Sequence, residues 1–357
     1  MPNIFDDSAQ FAHRVLTATG LVALVALLIY LMGLLVDVLL LVFAAVLLTV
    51  AIDGVTRLIG RYLPWSRIWL LLSAFGLILL LMTGTSLLLG PQIAEQVPQL
   101  IQQLPQAFSQ LIASARELPG VEGLLEQVQQ ADEEGGLIGP EVLERIGGIF
   151  SGLFGAVTGF GIILLLAFYL VLSPGQYVHQ VLRLVPPMRR RRIGQVLEVQ
   201  GQALRLWLLS RLISMLFVGA ASAIGLMLLG VPLPFALGLI SGLLTFIPYL
   251  GPILAAVPTA AVALMESPQL ALYAVLLYFS VETVETNVVS PLAAKGVVHL
   301  PPAYTVIIQV AGGAVAGFAG LVLATPLAVA ATVAVQMLYI QDTLGDGVEV
   351  LGGEDTS

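Results

Sequence analysis

The sequence alternates long apolar runs with short charged stretches, and the apolar runs set its architecture. A helix needs about 20 apolar residues to cross a bilayer. We expect membrane spans at residues 15–36, 38–52, 68–89, 149–172, 207–229, 235–265, 270–290 and 304–337. The predicted fold is therefore all-α, a polytopic membrane protein with about seven or eight transmembrane segments.

Two of these segments, residues 235–265 and 304–337, are overlong and carry helix breakers. The break in the first segment makes Pro248, Tyr249, Gly251 and Pro252 candidate binding residues. The candidate hinges are Pro291, which lies between the two segments, and Gly312, Gly313, Gly317, Gly320 and Pro326 in the second. A broken membrane helix survives only where protein or a wet cavity covers its freed backbone groups, so both breaks are candidate binding sites. The sequence leaves open whether each segment is one tilted helix or a hairpin of two half-helices.

The charged residues indicate an orientation. Residues 53–67 and 173–204 are basic, and residues 90–148 are acidic, with an amphipathic pattern that predicts a helix in their first half. The positive-inside rule places both basic stretches and the N-terminus in the cytoplasm. The four-arginine run at 189–192 needs no nucleic-acid partner, since no aromatic residues are interleaved with it.

These features divide the chain into five parts. They are N-terminal membrane helices at 1–89, an extracytoplasmic loop at 90–148, a fourth span with a basic cytoplasmic segment at 149–204, a transport core at 205–340 and an acidic tail at 341–357. The first apolar run lacks a cleavage site and is expected to remain as a membrane anchor.

Composition excludes several kinds of chemistry. The chain has no cysteine, and its three histidines are far apart, so we expect neither a metal site nor a cofactor. It contains no zinc-protease, nucleophile-elbow or phosphate-loop motif, so we expect no enzyme. Hydrophobic residues make up 58% of the chain and charged residues only 10%, so any carboxylate within a span needs an explanation.

Two such carboxylates, Glu282 and Glu285, follow the first interrupted segment. At 100° per residue they lie about 60° apart on one helical face, whereas Asn287 points away unless the helix loosens before Pro291. A charged side chain in the membrane costs at least ~2.5 kcal/mol, which favours a cavity-facing proton-exchange site. The alternative is an interfacial helix end from which both glutamates snorkel to water.

The second half of the chain reads TFIPYLGP, then ETNVVSPLAAKG, then HLPP, then GFAGLVLATP. In this combination and order, the motifs resemble the AI-2E transporter family. The resemblance assigns the family signatures to Glu285, Asn287 and Pro291, and to Pro248–Pro252. It implies a multi-pass bacterial inner-membrane protein that forms a homo-oligomer, a pentamer. Members include exporters of the signal autoinducer-2 and others assigned to sodium/proton antiport.

One departure concerns the substrate. Many relatives carry a neutral Gly-Gln pair where this chain has Ser210 and Arg211, so Arg211 becomes a candidate binding residue. The leading hypothesis is a secondary transporter that exports a small polar solute such as autoinducer-2. The alternative is a sodium/proton antiporter that uses the two glutamates, and a membrane scaffold or an intramembrane enzyme is disfavoured.

Overall fold

The computed structural model describes Gly33 and residues 35–63, 65–116, 161–293 and 300–347. These residues are overwhelmingly helical and form no β-strand, which confirms the predicted all-α class. The helices are α1 (Leu35–Gly60), α2 (Arg67–Arg116), α3 (Gly161–Leu172), α4 (Pro174–Arg183), α5 (Arg190–Leu229), α6 (Pro234–Leu244), α7 (Leu250–Glu266), α8 (Pro268–Val284), α9 (Ser290–Ala293) and α10 (Pro302–Val335). π-Helical segments follow α8, at Glu285–Val289, and α10, at Gln336–Leu344.

Several of these helices have the length and composition of membrane spans. Within the described residues there are 4 such segments, or up to 5 if the pair α3 and α4, bent by 87°, counts as one. The predicted number of seven or eight is therefore not confirmed. Many apolar side chains on the helices point outward, including Leu216 (66% exposed), Leu228 (78%) and Phe279 (69%), as expected for lipid-facing surfaces.

Two helices run beyond the apolar stretches that predicted them. α2 continues without a break through residues 90–116, where the amphipathic pattern predicted a helix, and α5 begins at Arg190, well before the predicted span at 207–229. Hydropathy marks only the part of a helix that lies in lipid, and arginine, glutamine and leucine favour helix outside it as well. Conversely, Asp37 lies inside α1, although the sequence predicted a short turn there between the spans at 15–36 and 38–52. The predicted span at 15–36 lies almost entirely outside the described residues.

α5 is the helix against which the site is built. Small residues let α6 pack closely on it: a Cβ added to Gly238 would lie 2.6 Å from the Ala223 Cβ, and one added to Gly242 would lie 2.9 Å from the Met215 carbonyl oxygen. Such small-residue crossings bring helix backbones together in membranes. The Gln96 side chain of α2 accepts bonds from the first amides of α6, which fixes the start of that helix.

The first interrupted segment is two helices separated by a tight turn at residues 245–249. The turn places Tyr249 at φ 62, and the chain bends so sharply that a Cβ added to Gly251 would overlap the carbonyl oxygen of Leu244. Pro248 is buried in this turn, and Pro252 lies half-buried in the first turn of α7. The sequence left open whether this segment is one tilted helix or two half-helices, and the structure shows two helices.

The second interrupted segment, α10, is a helical hairpin. Its backbone leaves helical geometry at Ala316 and Gly317, where Gly317 has φ 56. The Gln309 amide donates to the Thr325 hydroxyl across 3.0 Å, although residues 16 apart would be separated by about 24 Å in a straight helix. A Cβ added to Gly320 would overlap the Gly312 carbonyl oxygen, so the two arms touch.

The remaining predicted hinge residues take ordinary positions. Gly313 has room for a Cβ, whose nearest neighbour would be the Leu321 Cβ at 3.7 Å. Pro326 is buried inside the second arm of α10, and Pro291 lies exposed in α9.

Candidate functional site

Glu285 is the centre of a polar cluster between α5 and the end of α8. Its side chain is only 6% exposed, and its Oε1 accepts a hydrogen bond of 2.5 Å from the hydroxyl of Ser214, which is 1% exposed. The Thr286 hydroxyl donates to the other oxygen across 3.4 Å. A carboxylate this far from solvent is costly unless it is hydrogen-bonded. Glu285 therefore faces protein and does not snorkel to the surface.

The backbone around Glu285 is loosened into a π-helical turn. Ser290 donates its backbone N–H to the Glu285 carbonyl five residues back, where an α-helix would bond four residues back. Pro291 lacks a backbone N–H and could not continue the α-helical ladder to Asn287. Single π-helical turns occur frequently at functional sites, because they change the direction in which side chains point.

Glu282 and Arg211 complete the charged part of the cluster. Glu282 lies one turn before Glu285 and is half-buried, and Arg211 lies one turn before Ser214 on α5. Arg211 interacts electrostatically with both glutamates. Among the described residues, however, the pairs of opposite charge within 4.0 Å involve only Asp53 and Asp342, so Arg211 makes no direct ion pair with either glutamate.

Several polar atoms of this cluster are buried and have no hydrogen-bond partner within the described part of the chain. They are Arg211 Nε, Glu282 Oε2 and the Tyr278 hydroxyl. The Tyr278 hydroxyl lies near Ser241, whose own hydroxyl donates to the Leu237 carbonyl across 2.8 Å. The cluster thus contains buried hydrogen-bond donors, on Arg211 and Tyr278, and a buried acceptor, on Glu282, that form no hydrogen bond with one another.

Tyr249 connects the cluster to the break between α6 and α7. It is the residue with positive φ in the turn, its side chain is 46% exposed, and its hydroxyl lies near Arg211. A tyrosine at positive φ is strained, so the surrounding structure must hold it there. The interrupted helix and the charged cluster are therefore parts of one site.

The structure brings together four of the residues predicted from the sequence, Glu282, Glu285, Arg211 and Tyr249. Asn287 does not join them: it is exposed, and its amide donates to the Thr283 carbonyl of its own helix across 2.8 Å. The loosened helix that we named as a condition for its inward orientation is present, yet the side chain still faces outward.

Ser214 was not predicted from the sequence as part of the site. The available signal was weak: Ser210, Ser214 and Ser222 are buried serines at helical spacing on the face of α5 that also carries Arg211. A buried serine in an apolar helix usually bonds its own backbone carbonyl. Only the position of Glu285 shows that Ser214 bonds across the helix interface.

The described residues offer no metal centre. No group of three or more histidine, cysteine, aspartate or glutamate side chains in this part of the chain could hold an ion. The site can offer one arginine, two carboxylates and hydroxyl groups, a set suited to a polar organic molecule or to protons and a monovalent cation.

The fold and this site define a multi-pass α-helical membrane protein with a polar cluster among its apolar helices. Residues 20–340 match the model of the AI-2E family transporters, and the chain belongs to that family. The resemblance noted in its motifs is thereby confirmed.

Two relatives from Bacillus subtilis (strain 168) are similar to this chain. YueF, named as a candidate transport protein, is 27% identical over 188 residues, which are 52% of this chain and 51% of YueF. YrrI, also named as a candidate transport protein, is 32% identical over 161 residues, 45% of this chain and 46% of YrrI. The matched stretches span about half the length of these curated relatives.

Proposed function

We propose that this protein is a secondary membrane transporter that exports a small polar solute, with autoinducer-2 as the expected substrate. The cluster of Arg211, Glu282, Glu285 and Tyr249 is its binding site. The observation that carries the proposal is the set of buried, unpartnered polar atoms in that cluster. Leaving them unpaired in an apolar region costs several kcal/mol each, so a polar ligand or water satisfies them.

The chemistry of the cluster suits a small hydroxylated molecule. Arg211 donates to solute oxygens, Glu282 accepts from solute hydroxyl groups, and Tyr278 can do either. Glu285 is already held by Ser214, so it is fixed in place and acts as the coupling group. The turn between α6 and α7 and the hairpin of α10 supply flexible points at which the two sides of the membrane can be exposed alternately.

A second candidate is a sodium/proton antiporter. The observation that favours it is the electrostatic interaction of Glu282 with Glu285, one turn apart on the same helix. Two neighbouring carboxylates resist ionising together, so a proton and a monovalent cation could alternate on them. In such an antiporter, the positive charge of Arg211 would repel the bound cation.

Arg211 separates the two candidates experimentally. Purified protein in liposomes is tested for autoinducer-2 flux and for sodium flux, each under an imposed proton gradient, with wild type and Arg211→Gln side by side. The exporter predicts autoinducer-2 flux that Arg211→Gln abolishes. The antiporter predicts sodium flux that Arg211→Gln keeps or increases, because a repelling charge is gone. Absence of both fluxes in wild type contradicts both candidates and favours a scaffold.

We also propose that the protein lies in the bacterial inner membrane with a cytoplasmic N-terminus and works as a homo-oligomer, a pentamer. The orientation rests on the basic stretches at 53–67 and 173–204. Because the chain has no cysteine, single cysteines report cleanly: one at Gln129 should react with an impermeant reagent from outside, and one at Gln195 should not. Native mass spectrometry in detergent tests the subunit number.

A further inference from the structure

Away from the transport site, three arginines converge on one aspartate. Asp53 of α1 accepts a bond of 2.8 Å from Arg57 Nε one turn on, and another of 3.2 Å from Arg205 of α5. Arg67, at the start of α2, brings its Nη2 to 3.9 Å from the same carboxylate. Three positive charges against one negative charge leave this cluster strongly cationic. No further acid forms an ion pair with these arginines within the described residues.

Arg205 is the fixed member of the cluster. A Cβ added to Gly54 would lie 3.1 Å from the Arg205 Cγ, so the absence of a side chain there lets the arginine stem lie flat on α1. The Arg205 side chain is only 28% exposed, and its Nε is buried without a hydrogen-bond partner in the described structure. A desolvated guanidinium donor at this place gains much from an additional anionic acceptor.

The side chains around the cluster indicate its depth in the membrane. Tyr62 (82% exposed) and Trp65 (51%) lie on the connection between α1 and α2, and Trp69 (63%) lies in the first turn of α2, all close to Arg57 or Arg67 in the sequence. Exposed tryptophan and tyrosine side chains are typical of the headgroup level of a membrane. The cluster is therefore positioned where phospholipid headgroups lie.

Both charge and surface favour a lipid over a free anion. Arg57 and Arg67 are 67% and 53% exposed, so their guanidinium groups remain accessible while Asp53 holds them near one another. Apolar side chains lie beside them on the outer surface, including Leu58 (58% exposed) and Ile68 (68%), where acyl chains can pack. Basic pockets between membrane helices bind anionic headgroups in this way.

We propose that Arg57, Arg67 and Arg205 form a binding site for the phosphate of an anionic phospholipid, with Asp53 orienting the arginines. Since α1, α2 and α5 each contribute an arginine, bound lipid ties three membrane helices together at one membrane surface. This role is independent of the transported solute, and it predicts that the stability of the protein depends on the headgroup charge of the surrounding lipid.

The test measures the melting temperature and lipid binding of the purified, delipidated full-length protein in detergent. The added probes are phosphatidylglycerol, phosphatidylcholine and inorganic phosphate. Of the three probes, we expect only phosphatidylglycerol to raise the melting temperature. The double variant Arg57→Gln/Arg67→Gln should bind phosphatidylglycerol about thirtyfold more weakly, because two headgroup contacts are lost. Both side chains are exposed, so the variant is expected to fold.

The double variant Arg189→Gln/Arg191→Gln is the matched control, since it also removes two positive charges and both arginines are exposed and outside the cluster. It should keep the wild-type response. An equal loss of binding in both variants means that only overall charge matters, which overturns the proposal. Stabilisation by inorganic phosphate as strong as that by phosphatidylglycerol also overturns it, because the site then takes a free anion. An unchanged response in Arg57→Gln/Arg67→Gln overturns it as well.

Discussion

The Ser214 hydroxyl on α5 donates a hydrogen bond of 2.5 Å to Glu285, the first residue of the π-helical turn after α8. This bond ties the carboxylate of the family signature to the helix that also carries Arg211. It explains how a carboxylate that is 6% exposed is tolerated among apolar helices. The bond also makes the two helices one unit at the level of the candidate binding site.

Replacing Ser214 by alanine should therefore destabilise the protein. The variant leaves a buried carboxylate oxygen without its donor, at a cost of about 1–3 kcal/mol. Ser222→Ala is the matched control, because Ser222 is equally buried on α5 and its hydroxyl has no partner within the described residues. Melting temperatures in detergent should fall for Ser214→Ala and stay the same or rise for Ser222→Ala. Equal shifts would mean that the bond contributes nothing.

The hairpin of α10 can be tested with two glycines. Gly320→Ala places a methyl group on the Gly312 carbonyl oxygen, whereas Gly313→Ala meets only ordinary contacts with Leu321. Forcing a side chain into such a contact costs about 1–3 kcal/mol. We expect a lower melting temperature for Gly320→Ala and little change or a gain for Gly313→Ala. If the two variants behave alike, the arms of α10 do not pack against each other as described.

The turn between α6 and α7 makes a similar demand at Gly251. Gly251→Ala would drive a methyl group into the Leu244 carbonyl, so the turn must open and Tyr249 must move relative to Arg211. We expect an inserted protein that loses most of its solute flux in liposomes. Gly201→Ala, in open space on α5, should keep its flux and gain about 0.5–1 kcal/mol of helix stability. Normal flux in Gly251→Ala would mean that the turn is only a packing feature.

The sequence was informative about where helices break and where charge is costly. Pro248 and Gly251 mark a real interruption, and Glu282 and Glu285 do lie on one inward face, because proline chemistry and helical periodicity act locally. The sequence also named Gly317 as one of several glycines at which the second segment could turn. It could not show that the chain turns at Gly317, because the position of the turn depends on the contact between Gly312 and Gly320.

What the sequence could not supply were contacts between distant residues. The bonds from Ser214 to Glu285 and from Gln309 to Thr325 join residues 71 and 16 positions apart. Nothing in the local pattern of either serine or glutamine specifies its partner. The start of α5 at Arg190 was missed for a different reason, because apolar runs report the membrane and not the ends of the helix.

Glu285→Gln tests the central claim that this carboxylate couples transport. Glutamine keeps the size and can accept the Ser214 hydrogen bond, but it fixes the neutral state. Flux of autoinducer-2 is measured in liposomes under a proton gradient for wild type, Glu285→Gln, Glu282→Gln and Glu266→Gln, the last being exposed at the end of α7. We expect normal assembly throughout, loss of proton-coupled flux in Glu285→Gln, a milder defect in Glu282→Gln and wild-type flux in Glu266→Gln. Wild-type flux with an unchanged pH profile in Glu285→Gln would remove this residue from the mechanism.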